Sequence, residues 1–146
     1  AGDRCRWWAR EPANLDYLAA AVLFAGTLVF AVNLVDSLLG NLTPAQEDRL
    51  VWNPDVIGCL LFLISGFLAM VDISGSWWRL RGDGLGWWIV FVNQIGSVLF
   101  LASGVASFVR ADGDMIAVGI ANWGTLTGAL CFAIAGFMQF FEPPDD

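Results

Sequence analysis

Asn33, Asp36 and Ser37 are spaced by three and four residues, which sets them on one side of a helix, and they lie near the end of a long apolar stretch. Asp55 stands at the start of the next apolar stretch. Carboxylates and amide oxygens are ligands for hard cations, and placing them in hydrocarbon is costly without a compensating partner. Asn33, Asp36 and Asp55 therefore outline a candidate acidic vestibule for a small cation. Asp36 lies about one turn from the outer end of its stretch, so solvation there is the competing explanation of its charge.

Other chemistry is poorly supplied. Histidine is absent, which removes imidazole ligation of haem, zinc or copper and histidine proton relays. Cys5, Cys59 and Cys131 show no Cys-x-x-Cys spacing, and the last two sit in apolar runs as small packing residues. The sequence contains no Gly-x-Ser-x-Gly, His-Glu-x-x-His or phosphate-loop pattern. The expectation is a protein without catalytic residues, bound cofactor or metal centre. Asn93 and Gln94, the other polar pair within an apolar stretch, read as a helix-to-helix hydrogen-bonding site.

The elements that must position these residues are membrane spans. Hydrophobic residues make up 58% of the 146, charged residues 14%, and the mean hydropathy is +0.66. Four apolar stretches, near 15–39, 55–71, 85–109 and 121–141, approach or exceed the roughly 20 residues a crossing helix needs. The fold class expected is all-α: an integral membrane four-helix bundle. With a net charge of −7 and all seven basic residues arginine, a nucleic-acid surface is excluded.

The four stretches are two copies of one unit. Gly58-Cys59-Leu60-Leu61-Phe62-Leu63-Ile64-Ser65-Gly66-Phe67 returns as Gly128-Ala129-Leu130-Cys131-Phe132-Ala133-Ile134-Ala135-Gly136-Phe137, with six of ten positions identical. The same offset aligns Gly26, Phe30, Val35 and Ser37 with Gly96, Phe100, Val105 and Ser107, and Trp7-Trp8 with Trp77-Trp78. Two tandem parallel two-helix repeats follow, about 7–76 and 77–142, within a single transmembrane domain. Under this register Asn33, Asp36 and Asp55 correspond to Ser103, Ala106 and Thr125, so the acids lie outside the repeated scaffold. Gly58, Gly66, Gly128 and Gly136 are expected to pack helices, since small residues permit close backbone approach in lipid.

Arg4, Arg6, Arg10, Arg79 and Arg81 fall on one face of the membrane, and Arg49 and Arg110 on the other. That bias places both termini in the cytoplasm, with the chain expected in the plasma membrane. Trp77, Trp78, Trp87 and Trp88 crowd the cytoplasmic rim, where they anchor in headgroups or grip a partner or lipid. Thr43-Pro44-Ala45-Gln46-Glu47 predicts a short surface helix capped by Thr43, and Asn53-Pro54-Asp55 predicts a capped start to the second span, with Asp55 at its positive end.

The runs Leu23-Phe24-Ala25-Gly26-Thr27-Leu28-Val29-Phe30, Leu50-Val51-Trp52-Asn53-Pro54-Asp55-Val56-Ile57-Gly58, Asn93-Gln94-Ile95-Gly96-Ser97-Val98-Leu99-Phe100 and Thr125-Leu126-Thr127-Gly128-Ala129-Leu130-Cys131-Phe132 resemble bacterial, chiefly actinobacterial, membrane proteins with YrhK-like domains. The resemblance covers 15–142 and implies a four-helix membrane protein with no assigned reaction. Asn33-Leu34-Val35-Asp36 departs from the Asn-x-x-Thr pattern expected there. The functional expectation is an accessory or scaffolding subunit, with other membrane subunits or further copies of itself as partners in the lipid bilayer. The alternative is a small oligomeric channel or transporter for a small cation.

Overall fold

The computed structural model describes residues 14–77 and 82–142, and every regular element among them is helical. Four long helices, α1 (Leu15–Asp36), α3 (Asn53–Ser74), α4 (Leu85–Ala106) and α5 (Val118–Gln139), have 22 residues each. At about 1.5 Å per residue each is about 33 Å long, enough to cross a hydrocarbon core of about 30 Å. All four are also apolar enough to do so. Their outward faces carry Phe24, Leu28, Leu60, Ile64, Leu130 and Phe137 exposed, a surface with no polar cover.

Helix ends follow local hydrogen bonding. Asn14 caps α1 by accepting from the Asp16 amide. The helix stops three residues before the expected 39, because the amides of Leu38 and Leu39 tighten onto the carbonyls of Val35 and Asp36. Asn41 then takes a left-handed φ of 62°. The short α2 (Pro44–Glu47) is capped by Thr43 as expected, and Gln46 completes a reciprocal capping box with it.

The start of the second span departs from expectation. Asn53 is helical and caps nothing, because the chain runs from α2 through one π-helical turn, Asp48–Trp52, straight into α3. The Asn53 amide reaches back to the Asp48 carbonyl, and Pro54 has no N–H with which to continue the regular ladder. The second span is thereby lengthened to 31 residues when α2 is included. Asp55 consequently sits inside a continuous helix rather than at a free positive end.

Packing is built on glycine. α1 lies against α3 and α4 against α5, and the two pairs meet through α3 and α4. A Cβ at Gly58 would stand 3.4 Å from the Gly26 carbonyl, and one at Gly128 would stand 3.1 Å from the Gly96 carbonyl, so the same close approach recurs seventy residues apart. Gly66 serves the α3–α4 contact, where a Cβ would collide with the Gln94 side chain. Gly136 does not pack a helix, contrary to expectation. It is exposed with nothing within 4 Å of its Cβ position, since α5 has no close partner where α3 has α4.

One ring from each long helix fills the middle of the bundle. Phe30 lies 5.8 Å from Phe62 and 5.8 Å from Phe100, while Phe132 lies 5.8 Å from Phe62 and 5.4 Å from Phe100. These are again positions seventy apart, and the tilted and edge-on geometries are those that aromatic quadrupoles favour.

Gly128→Leu should destabilise the protein by about 1–3 kcal/mol through overpacking against Phe100 and the Gly96 carbonyl. Gly136→Leu should change stability by less than about 0.5 kcal/mol. Thermal unfolding of both variants in detergent checks the contrast.

Candidate functional site

Directly above the phenylalanine layer, towards the end where α1 leads to α2 and α4 to α5, each long helix contributes one polar residue. Asn33 Nδ2 donates to Asp55 Oδ1 at 3.1 Å, joining α1 to α3. At the matching positions of the other pair, Ser103 Oγ and Thr125 Oγ1 lie 2.6 Å apart. All four line one cavity of about 270 Å³, floored by Phe30 and Phe100.

Asn33 is only 6% exposed, and its Oδ1 is buried without a hydrogen-bond partner. A buried, unpaired amide oxygen is costly and asks for a donor or a cation. The Asp55 carboxylate lies over Gly104 of α4, where a Cβ would come within 2.9 Å of Oδ2, so a larger residue there would push the carboxylate aside. Neither Arg49 nor Arg110 lines the cavity.

The hydroxyl and indole donors around the cavity are already spent, which leaves the amide of Asn122 as the lining residue with free N–H groups. The Ser103 and Thr125 hydroxyls share their two protons between each other and the Ala121 carbonyl, Ser107 donates to the Gly104 carbonyl, and Ser37 to the Leu34 carbonyl. Trp52 Nε1 donates to the Gly104 carbonyl at 2.8 Å, and its ring stands edge-on to Phe108 at 5.0 Å. What these groups turn to a guest is therefore oxygen lone pairs, joined by the carboxylates of Asp55 and, at the rim, Glu47. Such a lining, with two carboxylates, favours a cation over an anion.

The site is braced from the connection. Asp48, on the π-helical turn, accepts from the Val109 amide at 3.2 Å and ties the start of α3 to the end of α4. An isolated bridge between Val109 and Met115 and the bond from the Ala117 amide to the Ala106 carbonyl then turn the chain into α5.

Asn33 and Asp55 thus come together as the vestibule reading requires. Asp36 does not join them: three residues past Asn33 it has turned off the cavity face, and Ser37, four residues on, lines the cavity instead. Sequence reasoning missed Trp52 and Asp48, and it noted Ser103 and Thr125 only as neutral replacements. Pairing the repeat against itself would have found them, since a contact between 33 and 55 implies one between 103 and 125.

Of the rim tryptophans, Trp77 is exposed with its ring near Phe67, and Trp88 is exposed. Trp87 is not free to grip a partner, because it stacks on Phe91 at 4.9 Å and leaves no room for a Cβ at Gly82. Trp78 lies outside the described residues. Gln94 bridges helices as expected, donating to the Leu63 carbonyl at 3.3 Å. Cys59 is fully buried, in keeping with a packing role. Among the described residues no cluster of three or more His, Cys, Asp or Glu forms.

Comparison with protein-family models, with curated proteins and with solved structures finds no match to this chain.

Trp52→Phe keeps the ring against Phe108 but removes the donor to Gly104. The expected loss is about 0.5–1.5 kcal/mol of stability, checked by thermal unfolding in detergent.

Proposed function

We propose that this is a non-enzymatic, multi-pass protein of the plasma membrane that takes a small inorganic cation into the cavity at Asp55. In this reading two tandem two-helix repeats share one orientation, both termini are cytoplasmic, and the cavity opens to the outside. The Phe30, Phe62, Phe100 and Phe132 layer and the Gly26–Gly58 and Gly96–Gly128 approaches, each matched at a seventy-residue offset, support the duplication. The likeness to YrhK-like membrane proteins is compatible with this architecture.

One observation carries the cation reading. Asn33 and Asp55 face a cavity rather than lipid or packed protein, and Asn33 Oδ1 is buried with no partner. Ser74 Oγ, Trp87 Nε1 and Gln94 Oε1 are also buried without a partner, but of these four residues only Asn33 lines the cavity that holds the Asp55 carboxylate. A ring of acceptors around one or two carboxylates gains its missing positive charge from the ligand.

A second reading, the accessory subunit of a larger membrane assembly, is favoured by the open side of the bundle. There α1 and α5 leave Phe24 and Gly136 uncovered. Native mass spectrometry of protein extracted with its own lipids should return a stoichiometric foreign subunit if this second reading is right.

Cation binding is tested by thermal unfolding in NaCl against choline chloride at equal ionic strength. A ligand bound only by the folded state stabilises it, by about 2.7 kcal/mol at roughly 100 times the dissociation constant. Sodium should raise the midpoint of the wild-type protein and of Asp36→Asn but not of Asp55→Asn. Equal midpoints in the two salts for the wild type would contradict the reading.

A further inference from the structure

A second cavity lies at the opposite end of the bundle, below the phenylalanine layer. It has a volume of about 340 Å³ and is lined by residues of all four long helices, among them Asp16, Ser65, Asn93 and Gln139. Like the upper cavity it is assembled from positions seventy apart. Ala19 and Ile89, Leu23 and Asn93, Ser65 and Ala135, and Ala69 and Gln139 line the lower one, while Asn33 and Ser103, Ser37 and Ser107, and Asp55 and Thr125 line the upper. Residues that correspond between the two halves face one another across the line that relates those halves. Both cavities therefore lie on a single line through the bundle.

What separates them is one layer of rings. Phe30 and Phe100 line the upper cavity, Phe132 lines the lower, and Phe100 and Phe132 are 5.4 Å apart. In the lower cavity the donor of Ser65 is spent on the Ala19 carbonyl, and the side-chain amides of Asn93 and Gln139 add oxygens as well as N–H groups beside the Asp16 carboxylate.

We propose that the two cavities are the ends of one cation path along the bundle axis, closed in this structure by Phe30, Phe62, Phe100 and Phe132. An apolar constriction of this kind blocks ions by excluding water, and a modest displacement of its rings opens it. The neighbours permit such a displacement. α1 and α5 do not close on each other, and a lateral cleft lined by Leu23, Thr27, Ala129 and three of the four rings, Phe62, Phe100 and Phe132, lies beside the layer. The path rests on the cation reading of the Asp55 cavity.

Sodium influx into liposomes containing the full chain, followed with a sodium-sensitive dye, tests the path. Phe100→Ala combined with Phe132→Ala should raise influx about ten-fold over the wild-type protein, and adding Asp55→Asn should remove most of the increase. Entrapped sulforhodamine must stay inside, so that a general leak is distinguished from a path. If the double variant keeps sodium-dependent stabilisation but influx does not rise, the path is wrong while the binding site stands. If sodium stabilises neither protein, the binding site itself fails.

A second measurement leaves the rings intact. In a background with Cys5, Cys59 and Cys131 changed to Ala, Ser103→Cys and Asn93→Cys should each react with a charged methanethiosulfonate reagent from one side of the membrane only, and from opposite sides. Reaction of both from the same side, or of neither, would overturn the proposal.

Discussion

Close backbone contact at Gly26 with Gly58, and at Gly96 with Gly128, is the constraint on which the bundle depends. Between helices in lipid the hydrophobic effect contributes little, so helices associate where small residues let their backbones approach. The distances leave no room for a side chain: a Cβ on Gly26 would meet the Phe62 ring at 3.0 Å, and one on Gly96 would meet the Gly128 carbonyl at 3.1 Å. Only at this separation do Phe30 and Phe62, or Phe100 and Phe132, meet at ring-contact distance. One turn further along, the same separation brings Asn33 to Asp55 and Ser103 to Thr125.

The layers are thus ordered by chemistry along the axis. Glycine sets the spacing, phenylalanine fills the centre, and a polar residue from each helix lies above it. In that polar layer the two halves differ in charge. In one half the pair is amide and carboxylate, in the other two hydroxyls bonded to each other and to the Ala121 carbonyl. Charge therefore enters the layer from a single helix, α3, while the remaining three supply neutral oxygens. That division is what makes the site asymmetric between the two helix pairs.

Much of this was legible in the chain. Apolar stretch length specified four long helices, and helix packing at Gly58, Gly66 and Gly128 was readable from their small size, whereas the phenylalanine layer was not drawn from the matched Phe positions. The cap at Thr43 was readable because a proline follows it at the first helical position. The continuous helix through Asn53 was not, since the start signal Asn-Pro-Asp is the same whether the preceding turn is broken or π-helical. Asp36 was misjudged because spacings of three and four both count as one face, whereas a cavity admits only a narrow arc: Ser37 falls within it and Asp36 outside. Gly136 was misjudged because the repeat implies a partner at each equivalent position, and α1 presents Phe24 where α4 presents Gln94.

The central claim is that the oxygens of Asn33 and Asp55 hold a cation. Anomalous scattering from crystals grown in lipid with rubidium or thallium as the monovalent cation tests it most directly. The account predicts a peak in coordination distance of Asp55 and of Asn33 Oδ1, absent from crystals of Asp55→Asn. A cavity that holds only water in the presence of either ion, or peaks confined to the exposed carboxylates of the connections, would contradict it.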